Sequence, residues 1–301
     1  MTSGGNMSHS EPRPTRVVEE RSESLWSKSR KRLVKNTGAM IGLTVLMALM
    51  LVAIFAPYLA PHPPNRQNPL ASLAPPSAEH RLGTDQFGRD ILSRLIYGTR
   101  VSLRVGLIAV GIAGLIGIPF GLIAGYYGGW IDMAISRVID LMLAFPGILL
   151  ALVLVSVLGP SLSNVMIAVG VAASPNYARL VRGSVLSAKE NVYVESARAV
   201  GAYVSGILVR HILPNILAPI IVLATLGTAG AVLSAAALSF LGLGAQPPTP
   251  EWGAMLSEGR NYMRLAWWVT TFPGLAIMVT VLAVNLLGDG LRDALDVRMR
   301  T

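Results

Sequence analysis

Long stretches without a charged side chain constrain this sequence more than any other feature. These stretches are Gly38–Asn65, Val105–Ile131, Leu141–Ala178, Ile212–Pro250 and Leu265–Gly288. A helix needs about 20 apolar residues to cross a hydrocarbon core of about 30 Å, so each stretch can hold a membrane span. Only 14% of the residues are charged, whereas soluble domains average about 25%. The pattern therefore predicts an all-α integral membrane protein.

The third stretch is too long for one ordinary span, and Gly159, Pro160, Ser161 and Asn164 near its middle are typical of a turn. Dividing it there predicts six transmembrane helices. Their predicted ranges are 38–60, 103–126, 136–158, 162–182, 213–239 and 267–288. In terms of domains, we expect a disordered tail over 1–35, a first span within 36–60, an external segment over 61–97, a five-helix domain over 98–289 and a C-terminal tail over 290–301.

Basic residues indicate the orientation in the membrane. Lys28, Arg30, Lys31, Arg32 and Lys35 lie directly before the first span. Lys and Arg concentrate in cytoplasmic loops, so we expect both termini in the cytoplasm of a multi-pass protein of a bacterial or archaeal cytoplasmic membrane. The net charge of +9 then reflects contact with anionic membrane lipid and requires no nucleic acid.

The sequence lacks the usual motifs of catalysis. Phosphate-cradling loops of ATPases place a Lys directly after a Gly-rich turn, and none of the four Lys residues occupies such a position. The four His residues, at 9, 62, 80 and 211, lie far apart, and Cys is absent. We expect no catalytic residue and no metal site, and we interpret Arg137 and Asp140, three residues apart, as an ion pair at the membrane interface.

The long segment between the fourth and fifth predicted spans is the most informative one. Lys189–Gly201 reads as a short helix that ends at a Gly suited to the left-handed conformation. A second helical stretch follows, and Pro214 is expected to force a turn into the next span. The segment predicts a compact helical hook outside the membrane, although an ordinary structured loop fits these residues equally well.

ESARAVGA at 195–202, followed by Leu213-Pro214, resembles the EAA loop of bacterial ABC importer permeases, with Ser196 in place of the usual Ala. The resemblance extends over most of the chain. It is carried by LGTDQFGRDILSRLIYG at 82–98, AGYYGGW at 124–130, LAFPGILLA at 143–151, YARLVRG at 177–183, HILPN at 211–215, SFLGLGAQPPTPEWGAML at 239–256 and NLLGDGLRDALD at 285–296. Together these segments resemble the C-type subunit of dipeptide, oligopeptide, nickel and glutathione permeases.

This resemblance implies a type I ABC importer permease fold. Such a permease pairs with a homologous second permease, two ABC ATPase subunits and an extracytoplasmic substrate-binding protein, and the ATPases, not the permease, bind ATP and Mg. The resemblance also implies an ATPase-coupling loop over about 183–214. Its coupling residues would be Glu195, Ser196, Ala197, Gly201, Leu213 and Pro214.

Residues elsewhere in the chain carry further expectations. Asn164, Asn176 and Asn285 could line the translocation path, but hydrogen bonding between helices explains each equally well. Trp252, Trp267 and Trp268 are expected to anchor the protein at the membrane interface. Asp85, Arg89 and Asp90 are expected to form local ion pairs, and several prolines, Pro119, Pro146, Pro219 and Pro273, could bend their spans.

Three functional hypotheses remain open at this stage. The favoured one is an importer permease for di- or oligopeptides or a related small peptide such as glutathione, and a permease of the same family for nickel or another small solute is its alternative. An intramembrane enzyme would require convergent ionisable groups, which the uncharged spans do not supply. A structural membrane scaffold would leave the hook without a role.

Overall fold

The computed structural model describes residues 25–295, and these residues are predominantly helical. The main helices are α1 (Leu25–Lys35), α2 (Thr37–Ile54), α3 (Ile91–Tyr127), α4 (Gly129–Leu143), α5 (Gly147–Leu158), α6 (Leu162–Ala188), α7 (Val192–Ala199), α8 (Leu217–Phe240), α9 (Trp252–Gly259) and α10 (Trp268–Leu295). Shorter helical turns are Ala56–Leu59, Pro69–Ala71, Val204–Gly206, Ile207–Ile212, Leu213–Ile216 and Arg260–Tyr262.

Both ends of the chain differ from the predicted tails. The last part of the predicted disordered tail over 1–35 is helical, since α1 occupies its final residues, and residues 1–24 lie outside the described part. At the other end, α10 continues beyond residue 289 to Leu295, and residues 296–301 are not described.

Within the described residues, four helical segments are long and apolar enough to cross a membrane: α2, α3, the run Val204–Phe240 and α10. The pair α4 and α5 gives a fifth if the two are counted as one broken span. The remaining predicted span, now α6, does not meet that criterion, so the count of six stays a prediction. Since α6 is largely buried by neighbouring helices, it has less need of an apolar surface facing lipid.

The predicted continuous helix over 136–158 is wrong. The chain instead forms two helices, α4 and α5, which meet at an angle of 91°. Pro146 lies at the break in an extended conformation, with φ −53° and ψ 129°. Proline has no N–H to donate and disfavours a helical conformation at the residue before it, here Phe145, so the helix ends and restarts at this point.

The centre of the fold is the contact between α3 and α6. Gly117, Gly121 and Gly125 recur every fourth residue and therefore share one face of α3. A Cβ atom at Gly121 would lie 2.6 Å from the backbone oxygen of Ala178 on α6. Small residues allow this close approach of two backbones, as is common between helices in membranes.

A buried charge network joins residues 61–90 to α9, and we call these two parts together the cap. Arg89 Nε donates to Asp85 Oδ2 at 2.6 Å, which confirms the predicted local pair. Arg89 also pairs with Glu258 of α9, and the same two carboxylates lie within 3.6 Å of the Arg94 guanidinium. Two cations therefore face two anions, as buried ions require. Asp90 does not join this network and contacts His80 instead.

The three tryptophans do not share one role. Trp252 is buried and donates its indole N–H to the Leu95 backbone oxygen at 3.2 Å. Trp268 is also buried and donates to Thr84 O at 3.2 Å. The predicted belt position is therefore wrong for these two residues, which instead pack the cap onto α3 and α10. Trp267 is exposed, as interface anchoring requires.

Glu251 is the N-cap residue of α9, the helical part of the cap. Its carboxylate accepts the backbone N–H groups of Gly253 and Ala254 at 2.9 and 2.8 Å. Burial raises the pKa of the Glu251 carboxyl above its ordinary value, and the two backbone donors lower it only in part. The short helix is consequently fixed at its first turn by a buried side chain.

Candidate functional site

The hook (residues 191–216) connects α6 to α8 and contains all the predicted coupling residues. Its first helix, α7, carries Glu195 and Ser196 on the exposed side and Ala197 on the buried side. Ala197 and Val194 belong to an apolar cluster with Val181 and Val185 of α6. The hook is therefore packed onto the end of a core helix through one face, while Glu195 and Ser196 on its opposite face are exposed.

The end of α7 has the geometry predicted from the sequence. Gly201 has φ +77°, in the left-handed region. Its N–H donates to Arg198 O at 2.9 Å, and the N–H of Ala202 donates to Ala197 O at 3.0 Å. These two bonds form a Schellman motif, which turns the chain sharply and satisfies the last carbonyl groups of the helix.

The second half of the hook differs from the prediction. Pro214 does not turn the chain into the next span, since residues 204–240 form one continuous helical run. The run passes through a π-helical segment, Ile207–Ile212, and a 3-10 turn, Leu213–Ile216, before α8 begins. The change in winding accommodates a proline without an N–H donor inside the run. Leu213 is partly buried and Pro214 is exposed.

A cation–π contact ties the hook to the end of α3. The guanidinium carbon of Arg198 lies 5.1 Å from the centroid of the Tyr126 ring. Arrangements within about 6 Å of the ring are attractive. Together with the cluster under α7, this contact connects the hook to both helices of the central pair.

The exposed face of the hook carries several apolar and aromatic side chains. Val200, directly before Gly201, is 84% exposed, and Tyr203, two residues after it, is 86% exposed. Val192 and Tyr193 of α7 are exposed as well. A patch of apolar and aromatic side chains beside a carboxylate, Glu195, is typical of a protein interaction site.

A cavity of about 250 Å³ lies between α3, α5, α6 and α8. Most of its wall consists of Ala, Gly, Val and Ile side chains, and Asn176, Tyr177 and Ser234 supply polar groups. Tyr177 is only 3% exposed, and its hydroxyl has no hydrogen-bond partner within residues 25–295. The cavity is consequently apolar with few polar groups, as small-molecule sites commonly are.

The three asparagines predicted as path candidates occupy different environments. Asn176 lines the cavity. Asn164 donates its side-chain N–H groups to the carbonyls of Leu158 and Gly159 at 2.8 and 3.0 Å, and so supports the turn between α5 and α6. Asn285 is half-buried on α10, away from the cavity wall.

Sequence reasoning missed two further features. No separate role was expected for Tyr177, and its burial beside the cavity depends on α8 packing against α6. Asp140 pairs with Arg179 at 2.7 Å, so the predicted partner, Arg137, is wrong. The neighbouring pair, Asp132 with Arg182, has its shorter contact at 2.5 Å. Both pairs join α4 to α6.

The apolar helices and the hook packed between α6 and α8 are the features that the sequence motifs predicted for a permease subunit of an ABC importer. The chain belongs to the family described as binding-protein-dependent transport system inner membrane component, which matches residues 117–301. A second family, the N-terminal TM domain of oligopeptide transport permease C, matches residues 24–76. The chain is therefore a multi-pass inner-membrane permease, as its sequence motifs predicted.

Curated relatives align over most of the chain. A dipeptide transport system permease protein (DppC) from Alkalihalophilus pseudofirmus is 53% identical over 278 residues, which cover 92% of this chain and 91% of the relative. A glutathione transport system permease protein (GsiD) from Pectobacterium atrosepticum is 48% identical over 273 residues, covering 90% of each.

The fold also matches a solved structure. A chain of the MetNI methionine ABC transporter, in an inward facing conformation, superposes with a TM-score of 0.54 and 21% sequence identity. The match covers 67% of this chain and 96% of that chain. At this identity the likeness concerns the fold, and it confirms the predicted type I importer architecture.

Proposed function

We propose that this chain forms half of the translocation path of an ATP-driven importer for di- or oligopeptides or a small peptide such as glutathione. The names of the relatives support the peptide class, because both the dipeptide and the glutathione permeases align over about nine tenths of this chain. Nickel or another small solute is the alternative cargo. The cavity beside Asn176 and Tyr177 is the part of the path contributed by this subunit.

The hook is the element that couples this permease to an ATPase. One observation supports this role: one face of the hook packs on α6 and α3, and the other presents Val200, Tyr203 and Glu195 to solvent. A rigid element with an apolar outer face fits a groove on a partner. Closure of two ATPases around ATP would move the hooks, and the attached helices would switch the cavity between two states of access.

The ATP and Mg belong to the ATPase partners, and this chain binds no cofactor and performs no catalysis. No described residue stands in the position of a P-loop Lys, since Lys31, Lys35 and Lys189 do not follow a phosphate-cradling loop. The remaining partners are a homologous second permease, a substrate-binding protein on the outer side and membrane lipid. Nucleic acid has no part in this function.

In the proposed orientation both termini lie in the cytoplasm. Basic residues of α1, such as Arg30 and Arg32, then lie at the cytoplasmic surface of the membrane, as does the hook. The cap faces outward, where it can meet the binding protein. This arrangement places the ATPase contact and the binding-protein contact at opposite ends of α3.

The test is uptake by proteoliposomes that contain this chain with its cognate permease, ATPases and binding protein. We expect ATP-dependent accumulation of labelled dipeptide or glutathione, and no ATP hydrolysis by this chain alone. Tyr203→Ser should weaken ATPase association by about 5–30-fold, which corresponds to about 1–2 kcal/mol for loss of an aromatic interface residue. Leu70→Ser, at a fully exposed apolar residue of the cap, is the matched control.

Accumulation of nickel but not peptide would replace the peptide class by the alternative. ATPase association that is unchanged by Tyr203→Ser, or equally reduced by Leu70→Ser, would contradict the docking role of the hook.

A further inference from the structure

Two histidines that lie 18 positions apart in the sequence meet in the cap. The rings of His62 and His80 have centroids 5.0 Å apart, and both face the carboxylate of Asp90. His80 Nδ1 lies 3.0 Å from Asp90 Oδ1, and His62 Nδ1 lies 3.9 Å from Asp90 Oδ2. We propose that His62, His80 and Asp90 form a binding site for a divalent transition metal of the zinc class.

The distances suit such an ion. Zinc binds imidazole nitrogen and carboxylate oxygen at about 2.0–2.2 Å, so two ligands of a tetrahedral ion lie about 3.3–3.5 Å apart. The separations given above, 3.0 Å to Asp90 Oδ1 and 3.9 Å to Asp90 Oδ2, involve different carboxylate oxygens and lie on either side of this value. One ligand atom from each of the three residues lies within 4.8 Å of the others. Small side-chain rotations therefore complete the site.

A hydrogen bond between His80 and Asp90 does not account for the whole cluster. The Nδ1 atom of His62 is buried, and no described residue provides it with a hydrogen-bond partner. Buried polar atoms are normally paired, so an atom of this kind beside a second imidazole and a carboxylate indicates a ligand. A metal ion would use the lone pair of this nitrogen directly.

The charge at the cluster also favours a cation. Asp90 is buried, and the nearby Arg89 is directed to Asp85 and Glu258. The side chains within ion-pairing distance of Asp90 are the two histidines, which remain neutral when they bind a metal. A divalent ion would add positive charge beside a buried carboxylate whose other donors are the hydroxyl and backbone N–H of Ser93.

Ser93 holds two of the ligands in place. Its Oγ donates to Asp90 Oδ2 at 2.7 Å and accepts the backbone N–H of His62 at 3.0 Å. Its backbone N–H also donates to Asp90 Oδ2 at 2.8 Å. Such supporting contacts orient metal ligands and contribute strongly to affinity. They anchor both His62 and Asp90 at the first turn of α3.

The ligand set selects the chemistry of the ion. Two imidazoles and one carboxylate suit zinc and its neighbours, whereas magnesium and calcium prefer oxygen ligands. The side chain of His62 remains partly exposed, so a fourth position on the ion would be open to solvent. Metal binding would clamp the segment after the first span onto the start of α3.

The experiment uses the full-length chain in lipid nanodiscs, prepared with a purification tag that contains no histidine and stripped of metal with a chelator. Zn²⁺ is titrated against a chromophoric chelator, and Co²⁺ is followed by its visible absorption. We expect one ion per chain. His62→Ala should weaken binding by at least 10-fold, and Ser93→Ala by about 10–100-fold. His211→Ala, in the hook, is the matched control and should bind as the wild type does.

A second variant keeps the proposal testable if His62→Ala fails to fold. His62→Cys introduces a thiolate into a chain with no native Cys, and we expect it to retain the ion and to add a thiolate-to-cobalt charge-transfer band. Failure of the wild type to bind one ion, equal losses in His62→Ala and His211→Ala, or a bound ion without this band in His62→Cys would overturn the proposal. These measurements do not involve transport, so their outcome is independent of the importer function.

Discussion

Replacement of Gly201 by Val tests whether the shape of the hook is required for coupling. Gly201 has φ +77°, and a Cβ at this position would meet no atom within 4 Å. The substitution therefore introduces backbone strain without a clash inside this chain. A β-branched residue in the left-handed region costs about 1–2 kcal/mol. Such a penalty lowers the population of the native hook relative to alternatives by about 5–30-fold.

Because this cost falls on a surface turn, insertion into the membrane should remain normal while ATP-driven uptake falls by up to this factor. Substrate uptake and membrane abundance are measured in the same proteoliposomes. Gly201→Asn should be much milder, since Asn tolerates the left-handed region. Gly183→Val is the matched control: Gly183 has the same open surroundings but lies in α6 with ordinary helical backbone angles. Wild-type uptake in Gly201→Val, with ATPases co-purifying normally, would refute the coupling role.

Two further predictions concern packing and topology. Gly121→Ala should destabilise the protein by about 1–3 kcal/mol, because the added Cβ would lie 2.6 Å from a backbone oxygen that cannot move aside. Gly111→Ala, with open surroundings, is the control and should leave stability unchanged in a thermal unfolding assay in detergent. Equal melting temperatures of the two variants would contradict the close contact. The Ser187→Cys variant should react with a membrane-impermeant maleimide only in inside-out vesicles, and the Ala78→Cys variant only in intact cells. Labelling of the Ser187→Cys variant from outside would reverse the proposed orientation.

The relation of the hook to the central pair suggests how a small motion is passed on. The hook contacts α6 through Val194 and Ala197 and contacts α3 through Arg198 and Tyr126. The two helices are themselves in close contact along a glycine face. Because packed helices move as bodies rather than deform continuously, a shift of the hook would displace α3 and α6 together and alter the cavity on their other side.

Properties that depend on neighbours along the chain were predictable from the sequence. Charge gaps identified most of the apolar helices, because an uncharged stretch of sufficient length is favoured in a bilayer whatever its packing. The left-handed conformation of Gly201 was also predictable, because the last carbonyl groups of a helix accept hydrogen bonds from residues close by in the chain. The family resemblance rested on ordered motifs and was confirmed by relatives over about nine tenths of the chain.

Properties that depend on contacts between distant segments were decided only by the tertiary structure. The pairing of Asp140 with Arg179, the burial of Trp252 and Trp268, and the meeting of His62 with His80 all join parts of the chain separated by a turn or a span. The sequence pattern contains no signal for such pairs, because which faces meet is determined by how the helices pack. Composition and the spacing of charged residues therefore determined that this chain enters a membrane as helices, and packing determined which side chains meet there.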